Sequence, residues 1–574
     1  MNIFETYLKK IKNLIIENCK TLNINSDINI DGVIIETPPL EFNFDLSTNI
    51  ALVLSKKTKQ SPLILAESIK KIIQENLDDF SIIEVAGPGF INFRFSSQTY
   101  QKLMLEILKT NNKYGSNNKS ESYNIEFVSA NPTGPMHVGH SRGAVFGDVL
   151  ANLLIFNGNS VVKEYYINDY GTQIVNFTES VFYRLREIKF KEKFLKQKNL
   201  YPGDYVIDIA KKILLELPEI DLNNFKKNYT ILSKEALKHS MDLIKKDLKG
   251  LGISHDNFVS EKTLVEKNLV EKSIQYLKNK KFVEEGYLNP PKGEENKNWK
   301  KTKRLIFKST LFGDDTDRAL QKDDGSWTYF ANDIAYHSDK TSRNYNYLIN
   351  VLGADHTGYI KRITAATKAL SDNKSILICK VCQLVKLFKN GLPYKMSKRA
   401  GDFISVRELL NEVDKDSIRF MMLNRSNDVE LDFDFNKVLE RTRENPVFYV
   451  QYCYARISSL FRTLNINTNK NFEFDEINFE LNEPELNLFR KIMDWPKVIE
   501  TASKKFEPHR IPFYLYDLAT LFHSYWSKGN EDAKYKFIVD GKIKNKNTLL
   551  IIKLVSLTIE NGMKILSVSL PTKM

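Results

Sequence analysis

The sequence predicts an α/β fold: a parallel sheet with crossover helices, preceded by a small α+β unit and followed by an all-helical domain. Three observations carry this. A strand, a turn and a helix succeed one another at 123–158 and again at 347–363, and that alternation argues for a parallel sheet with right-handed crossovers. Short alternating strands and two helical stripes fill the first 110 residues or so. Beyond residue 410 the strand signals vanish and five long segments keep helical apolar spacing.

A chain of 574 residues exceeds one hydrophobic core, and three domains are expected: 1–112, 121–410 with a lysine-rich insertion at about 175–325, and 411–574. With 42% hydrophobic and 27% charged residues, the composition is that of an ordinary globular protein. A net charge of +13 suits a polyanionic partner. Lysine is abundant throughout, so the charge alone does not identify one. The four cysteines are too few for a disulfide framework, which points to a reducing cytoplasm. Cys379 and Cys382 form a lone CxxC in an apolar run that reads as helical, and without a second pair no zinc site is expected. No basic-then-apolar leader and no run of about 18 apolar residues occurs, so neither export nor a membrane span is expected.

At the N-terminus, Ile3, Phe4, Tyr7, Leu8, Ile11, Leu14 and Ile15 make a helical stripe. Short strands are expected in Asp31–Pro39 and Phe42–Asp45, a helix over 63–77, and a hairpin around Gly87-Pro88-Gly89 with Ile91, Phe93 and Phe95 on one face. A polar stretch after residue 110 marks the first boundary.

The most informative stretch is 123–158. Tyr123, Ile125 and Phe127 alternate with Asn124 and Glu126 as in a strand, and Asn131-Pro132-Thr133-Gly134-Pro135 must turn. Val145, Val149, Leu150, Leu153 and Leu154 then recur at helical spacing. His137 and His140 therefore share the first helical turn, beside unpaired backbone amides that attract phosphate, and Gly139 between them leaves room for a flat ring. Two other readings stand beside this one: polar helix caps, or a metal pair, which needs a further ligand. Asp148, the nearest downstream acid, faces away from the pair.

Polar residues Asn168, Asp169, Gly171 and Gln173 follow the next strand, where such folds place ligands. Tyr329, Asp333 and His337 lie on one side of a helix, either as a solvated face or as a ligand site. Gly353-Ala354-Asp355-His356 forms the turn after a further strand. Lys395, Met396, Ser397, Lys398 and Arg399 form a basic loop, either plain surface or a polyphosphate clamp.

Together these segments resemble arginyl-tRNA synthetases, class I aminoacyl-tRNA synthetases, over essentially the whole chain. His137-Val138-Gly139-His140 resembles the family's HIGH signature, and IEFVSANPTGPMHVGH is similar to its arginyl form. Lys395-Met396-Ser397-Lys398 resembles the KMSKS loop, with Arg399 in place of the last serine. EYYINDYGTQ, GSWTYFANDIAYH, GADHTGY and NPVFYVQYCYAR match further segments in order.

The resemblance implies a Rossmann-like catalytic domain, an N-terminal domain that binds the tRNA elbow and a C-terminal anticodon-binding domain. It implies an enzyme that activates L-arginine with ATP and Mg²⁺ and loads it onto the terminal adenosine of tRNA-Arg; nothing in the sequence suggests an obligate dimer, and a monomer is expected. By the same resemblance His137, His140, Lys395 and Lys398 are catalytic, and Gly139, Gly353, Asp355, His356, Met396 and Ser397 bind ATP. Asn131, Tyr329, Asp333, Glu126 and Glu261 are the arginine candidates, with Asp333 as the planar carboxylate a guanidinium requires. No resident metal ligands are expected. A polar substrate contact of some members is missing at Gly353-Ala354. A non-catalytic tRNA-binding paralogue is the alternative, and it predicts damage to signatures that stand intact here.

Overall fold

The computed structural model describes residues 2–25, 28–194, 197–288, 302–394, 404–466 and 480–574. By its contacts the chain forms two compact units, one of residues 118–440 with 507–509, the other of 1–117, 441–506 and 510–574.

The first unit is built on five parallel strands in the spatial order Ile376–Cys382, Tyr347–Gly353, Ser122–Glu126, Ser160–Ile167, Asn257–Ser260. The parallel sheet expected from the alternating pattern is present. Its earliest strand, Ser122–Glu126, lies in the middle, and the chain goes to one side of it first and to the other side later. Strand order thus reverses at Glu126, and the carboxyl ends of the strands at such a point are where folds of this kind form their ligand crevice. The central strand is buried on both faces, as crossover helices on both sides of a parallel sheet require. Asn124, on the face that alternation marks as polar, is fully buried and gives its amide to Glu164 Oε2 at 3.1 Å.

The Val138–Phe156 helix packs against this strand so closely that a Cβ built on Gly147 would stand 2.3 Å from Phe127 Cγ. Two buried polar systems fix it further. Arg142 is buried and donates to the carbonyls of Gln383, Ser426 and Val429. Asp148 is buried between Lys163 Nζ at 2.7 Å and Arg419 Nη2 at 2.5 Å.

Several local expectations change. The run holding Cys379 and Cys382 is a strand, Ile376–Cys382, followed by Val385–Lys389, not a helix. Short apolar runs carry no decisive period, and the Ile and Val content favours strand. Burial pushes both thiols up to about 12, so neither is a reactive thiolate. Strands also continue past residue 410: Leu431–Asp434 pairs in parallel with Val385–Lys389, and Ile538–Val539 pairs with Lys542–Ile543. The lysine-rich stretch after 175 is mostly helical, as expected, but it also supplies the edge strand Asn257–Ser260.

In the second unit the hairpin Phe80–Ala86 and Phe90–Phe95 forms as expected, with Ile91, Phe93 and Phe95 buried. The segment read as a strand near Phe42 is a 3₁₀ turn, Leu40–Phe42, and the strand is Leu46–Thr48; Pro38 and Pro39 just before it have no N–H for a ladder. Helices of the last 130 residues pack onto this sheet unit through a buried pair. Asp45 accepts Arg490 Nε at 2.8 Å, the Phe95 N–H at 2.8 Å and the Tyr100 hydroxyl at 2.5 Å. Trp495 Nε1 donates to Tyr114 O at 2.9 Å, and Tyr114 donates to Ile492 O at 2.9 Å.

Gly147→Ala should force Phe127 away from the helix and cost about 1 to 3 kcal/mol through overpacking. A thermal scan of the purified chain checks this, with a drop of several degrees in apparent Tm as the expected outcome.

Candidate functional site

The central strand ends in strained backbone. Val128 has φ 71 and Ser129 φ 40, left-handed values that a β-branched residue rarely adopts. The bend is held by Ser129 Oγ, which donates to Glu126 Oε1 at 3.0 Å and accepts the Tyr166 N–H at 3.1 Å. It carries Asn131 out to the surface, where its amide donates to Gln173 Oε1 at 2.9 Å and its oxygen accepts from Asn168 at 3.0 Å. The polar cluster after the 160–167 strand and the Pro/Gly turn thus meet in one place.

His137 caps the Val138–Phe156 helix, and His140 lies in its first turn. The rings stack with centroids 3.7 Å apart, and His140 Nδ1 accepts the His137 N–H at 3.3 Å. Burial lowers both pKa values, that of His140 to about 3 with the neighbouring ring adding to the fall. Both are therefore neutral imidazoles at pH 7. Gly139 is exposed between them, and a Cβ there would stand 2.8 Å from the His137 ring. The helix start is pinned from the other side by a short antiparallel bridge: Val138 N–H donates to Ile404 O and Val406 N–H to Met136 O, each at 2.8 Å. Lys395, Met396, Ser397 and Lys398 lie outside the described residues.

Carboxylates gather on the other side of the crevice. Glu126 is paired with Lys340, whose side chain is 0% exposed, at 2.5 Å. Lys340 also donates to Asn350 Oδ1 at 2.9 Å, and Asn350 donates to His337 Nε2 at 3.0 Å. His337 in turn donates from Nδ1 to Asp333 O at 2.9 Å, and burial with the Lys340 charge keeps the ring neutral, its pKa lowered to about 3. His337 is therefore a buried linker and not part of a solvated face.

Asp333 accepts the Tyr359 hydroxyl, and burial raises its pKa to about 7; the negative Glu126 adds to this, against the pull of the Tyr359 hydrogen bond, Lys340 and Arg362. Glu261 is buried and receives Asn332 Nδ2 at 3.0 Å on one oxygen, while Oε2 has no hydrogen-bond partner. Burial lifts its pKa to about 7, opposed by the Asn332 bond and helped by Asp333 and Asp169. Glu261, Asp333, Glu126 and Asp169 all act on the phenol of Tyr166, which stacks on Tyr336 with centroids 4.2 Å apart. Lys340 balances Glu126, and Asp169 is occupied by Ser260 and the Lys262 N–H. Asp333 and Glu261 remain short of positive charge. Such a pocket calls for one cation that can hydrogen-bond in a plane.

Tyr329 opens the Tyr329–Ser342 helix one turn before Asp333 and is 76% exposed, with Lys322 Nζ 5.9 Å from its ring centroid. Gly353 ends its strand, and Asp355 and His356 follow in an exposed 3₁₀ turn, 3.5 Å from each other. Among the described residues, one group of three carboxylate or histidine side chains has metal-ligand spacing, Glu216, Glu235 and His239. Lys238 already bonds both acids, and Asp148 is committed to Lys163 and Arg419. Among the described residues, no third carboxylate or histidine ligand stands beside the histidine pair.

Sequence reasoning passed over Lys340, Asn350, Tyr359 and the stacked Tyr166 and Tyr336. Lys340 had a signal, since it continues the stripe of Asp333 and His337 at helical spacing. Tyr359 stood in the GADHTGY segment without a role of its own. Asn350 lies inside an apolar strand with nothing around it to mark it.

Three family models match the chain: "Arginyl tRNA synthetase N terminal domain" over residues 9–95, "tRNA synthetases class I (R), catalytic domain" over 103–459, and "DALR anticodon binding domain" over 450–574. The arginine–tRNA ligase of Pelagibacter ubique is 51% identical over 577 aligned positions, covering 100% of both chains. A solved structure from Campylobacter jejuni, described as an arginyl-tRNA synthetase, has a TM-score of 0.73 and 31% identity over 84% of this chain and 100% of that one. Thermus thermophilus arginyl-tRNA synthetase has the same fold, with a TM-score of 0.71 at 18% identity over 99% of this chain and 100% of that one.

Carboxylates with folded pKa values raised above those of the unfolded chain lower stability once pH exceeds the unfolded value, and the loss is complete above the folded value. Asp333→Asn and Glu261→Gln should therefore raise the apparent Tm of the ligand-free chain at pH 8 and change it little at pH 4. Thermal scans at the two pH values check this.

Proposed function

This chain belongs to the class I arginyl-tRNA synthetase family and is by that membership an arginine–tRNA ligase, and from this premise we propose how its residues divide the work. The observation that carries the proposal is the pair of under-neutralised carboxylates, Asp333 and Glu261, beside the sheet's reversal point. A guanidinium supplies what they lack, a delocalised charge with donors in a fixed plane. Glu261 Oε2 is the buried acceptor without a donor that such a ligand would satisfy. Glu126, held by Lys340 and Ser129, adds negative potential from behind. Tyr329 covers the pocket from the helix start, and Asn131 holds the amino-acid backbone.

ATP is the second substrate. Gly139, Gly353, Asp355 and His356, with Met396 and Ser397, bed its adenosine and phosphates. His137 and His140 donate neutral N–H groups to the α-phosphate, and Lys395 and Lys398 add charge as the pentavalent state forms, where stabilisation lowers the barrier most. Ile404–Val406, a few residues on from those lysines in sequence, is bridged to Met136–Val138. Attack by the arginine carboxylate on the α-phosphorus releases pyrophosphate; the terminal ribose hydroxyl of tRNA-Arg then takes the arginyl group and AMP leaves. Mg²⁺ arrives on the ATP phosphates as part of the substrate. The +13 charge favours the tRNA, and the chain acts as a monomer in the cytoplasm.

Pyrophosphate exchange with each amino acid in turn, with and without tRNA, tests the reading. Exchange with arginine is the expected outcome, and exchange with lysine but not arginine overturns it. In the same assay Asp333→Ala should cost about 3 to 5 kcal/mol, seen as arginine KM rising more than about a hundredfold while ATP KM holds. The pH profile supplies a further check. Arginine binds the ionised carboxylates, so its KM should climb as pH falls below about 7, by up to about tenfold per unit for each proton taken up, with ATP KM flat.

A further inference from the structure

The Phe225–Gly250 helix belongs to the lysine-rich stretch and carries none of the residues assigned above. Near its end Asp247 is 2% exposed, and its Oδ2 accepts the N–H of Met136 at 3.0 Å. Met136 is fully buried between Pro135 and His137, so that N–H needs a partner inside the protein. The same residue accepts the Val406 N–H on its carbonyl at 2.8 Å. Arg407 Nη2 stands 3.9 Å from Asp247 Oδ1, on the helix Val406–Glu412, and a Cβ on Gly250 would stand 2.7 Å from Leu410 of that helix. One carboxylate thus holds one strand of the bridge on which the histidine turn rests and stands 3.9 Å from Arg407, just after the other.

We propose that Asp247 is a positioning residue for the activation step: it fixes the Met136 peptide, and through it the His137 cap and the Ile404–Arg407 segment, in one register. It touches neither substrate. Its hydrogen bond sets where the two imidazoles stand relative to the α-phosphate. The acceptor oxygen, more than the charge, carries the effect, because Arg407 is at 3.9 Å and half exposed.

The inference rests on the arginine–tRNA ligase reading, and the full-length chain tests it by pyrophosphate exchange with arginine, ATP and tRNA. Asp247→Ala, which deletes the acceptor, and Asp247→Glu, which displaces it, should lower kcat at least about tenfold, since a misplacement of about 1 Å at a reacting geometry has effects of that order or larger. Arginine KM should stay within about twofold in both. Asp247→Asn keeps an acceptor oxygen and should restore kcat to within about threefold of the parent. If the Ala variant does not fold, the Glu and Asn variants decide. A kcat unchanged in the Glu variant, an Asn variant as slow as the Glu variant, or an arginine KM that rises as far as kcat falls would overturn the proposal. A parent chain without arginine-dependent exchange would instead refute the ligase reading.

Discussion

Lys340 is fully buried, and its ammonium is held between the carboxylate of Glu126 and the amide oxygen of Asn350. An ammonium in that place is stable only while both partners stay put, since removing one leaves a buried charge without compensation. Glu126 ends the central strand, Asn350 lies on its neighbour, and Lys340 comes from the helix that carries Asp333. The pair therefore ties three elements at the point where the strand order reverses. Next to it, Glu164 binds Arg343, Tyr336 and Asn257. Burial alone would raise the Glu164 pKa, but the hydrogen bonds and charges of Arg343 and Lys340 hold it at about 2. A rigid, charge-satisfied layer thus underlies a pocket whose own charges are left unsatisfied.

That contrast explains the division of the crevice. On one side Asp333 and Glu261 sit in low dielectric without enough positive charge, a state that costs stability and is relieved by a cationic ligand. On the other side the two imidazoles are neutral, and positive potential comes from helix amides. Under the proposed function, a substrate that is cationic at its far end and reacts with a phosphate would find each half of its chemistry on the matching side. Glu126 precedes the strained bend at Val128 and Ser129 and the histidine turn follows it, so the strand end and the histidines share one backbone path.

Much of this was legible in the sequence because it depends on local chemistry. Strand alternation, the Pro/Gly turn and helical spacing placed His137 and His140 at a helix start, and the parallel sheet followed from repetition. The resemblance to arginyl-tRNA synthetases was legible in the same way, from short segments in order. What escaped depends on partners remote in sequence. Lys340 reads as one lysine among many, and only its distance to Glu126 shows that it is buried. The Ile376–Cys382 run read as helix because a short apolar run has no distinguishing period, and its pairing with Tyr347–Gly353 decides the matter. Asp247 carried no sequence signal, since a backbone N–H 111 residues away selects it.

The pairing of Asp45 with Arg490 bears on how the chain is made. The two residues are 445 positions apart, and at ribosomal rates of about 5 to 20 residues per second roughly 20 to 90 seconds separate their synthesis. Through that interval the Asp45 carboxylate has its Phe95 and Tyr100 donors and no cation, and the surface that will receive Trp495 stays wet. The sheet unit made earlier is thus completed only once Arg490 and Trp495 have been synthesised. A chain cut short before them would present an open, apolar docking face to the cell's quality-control machinery.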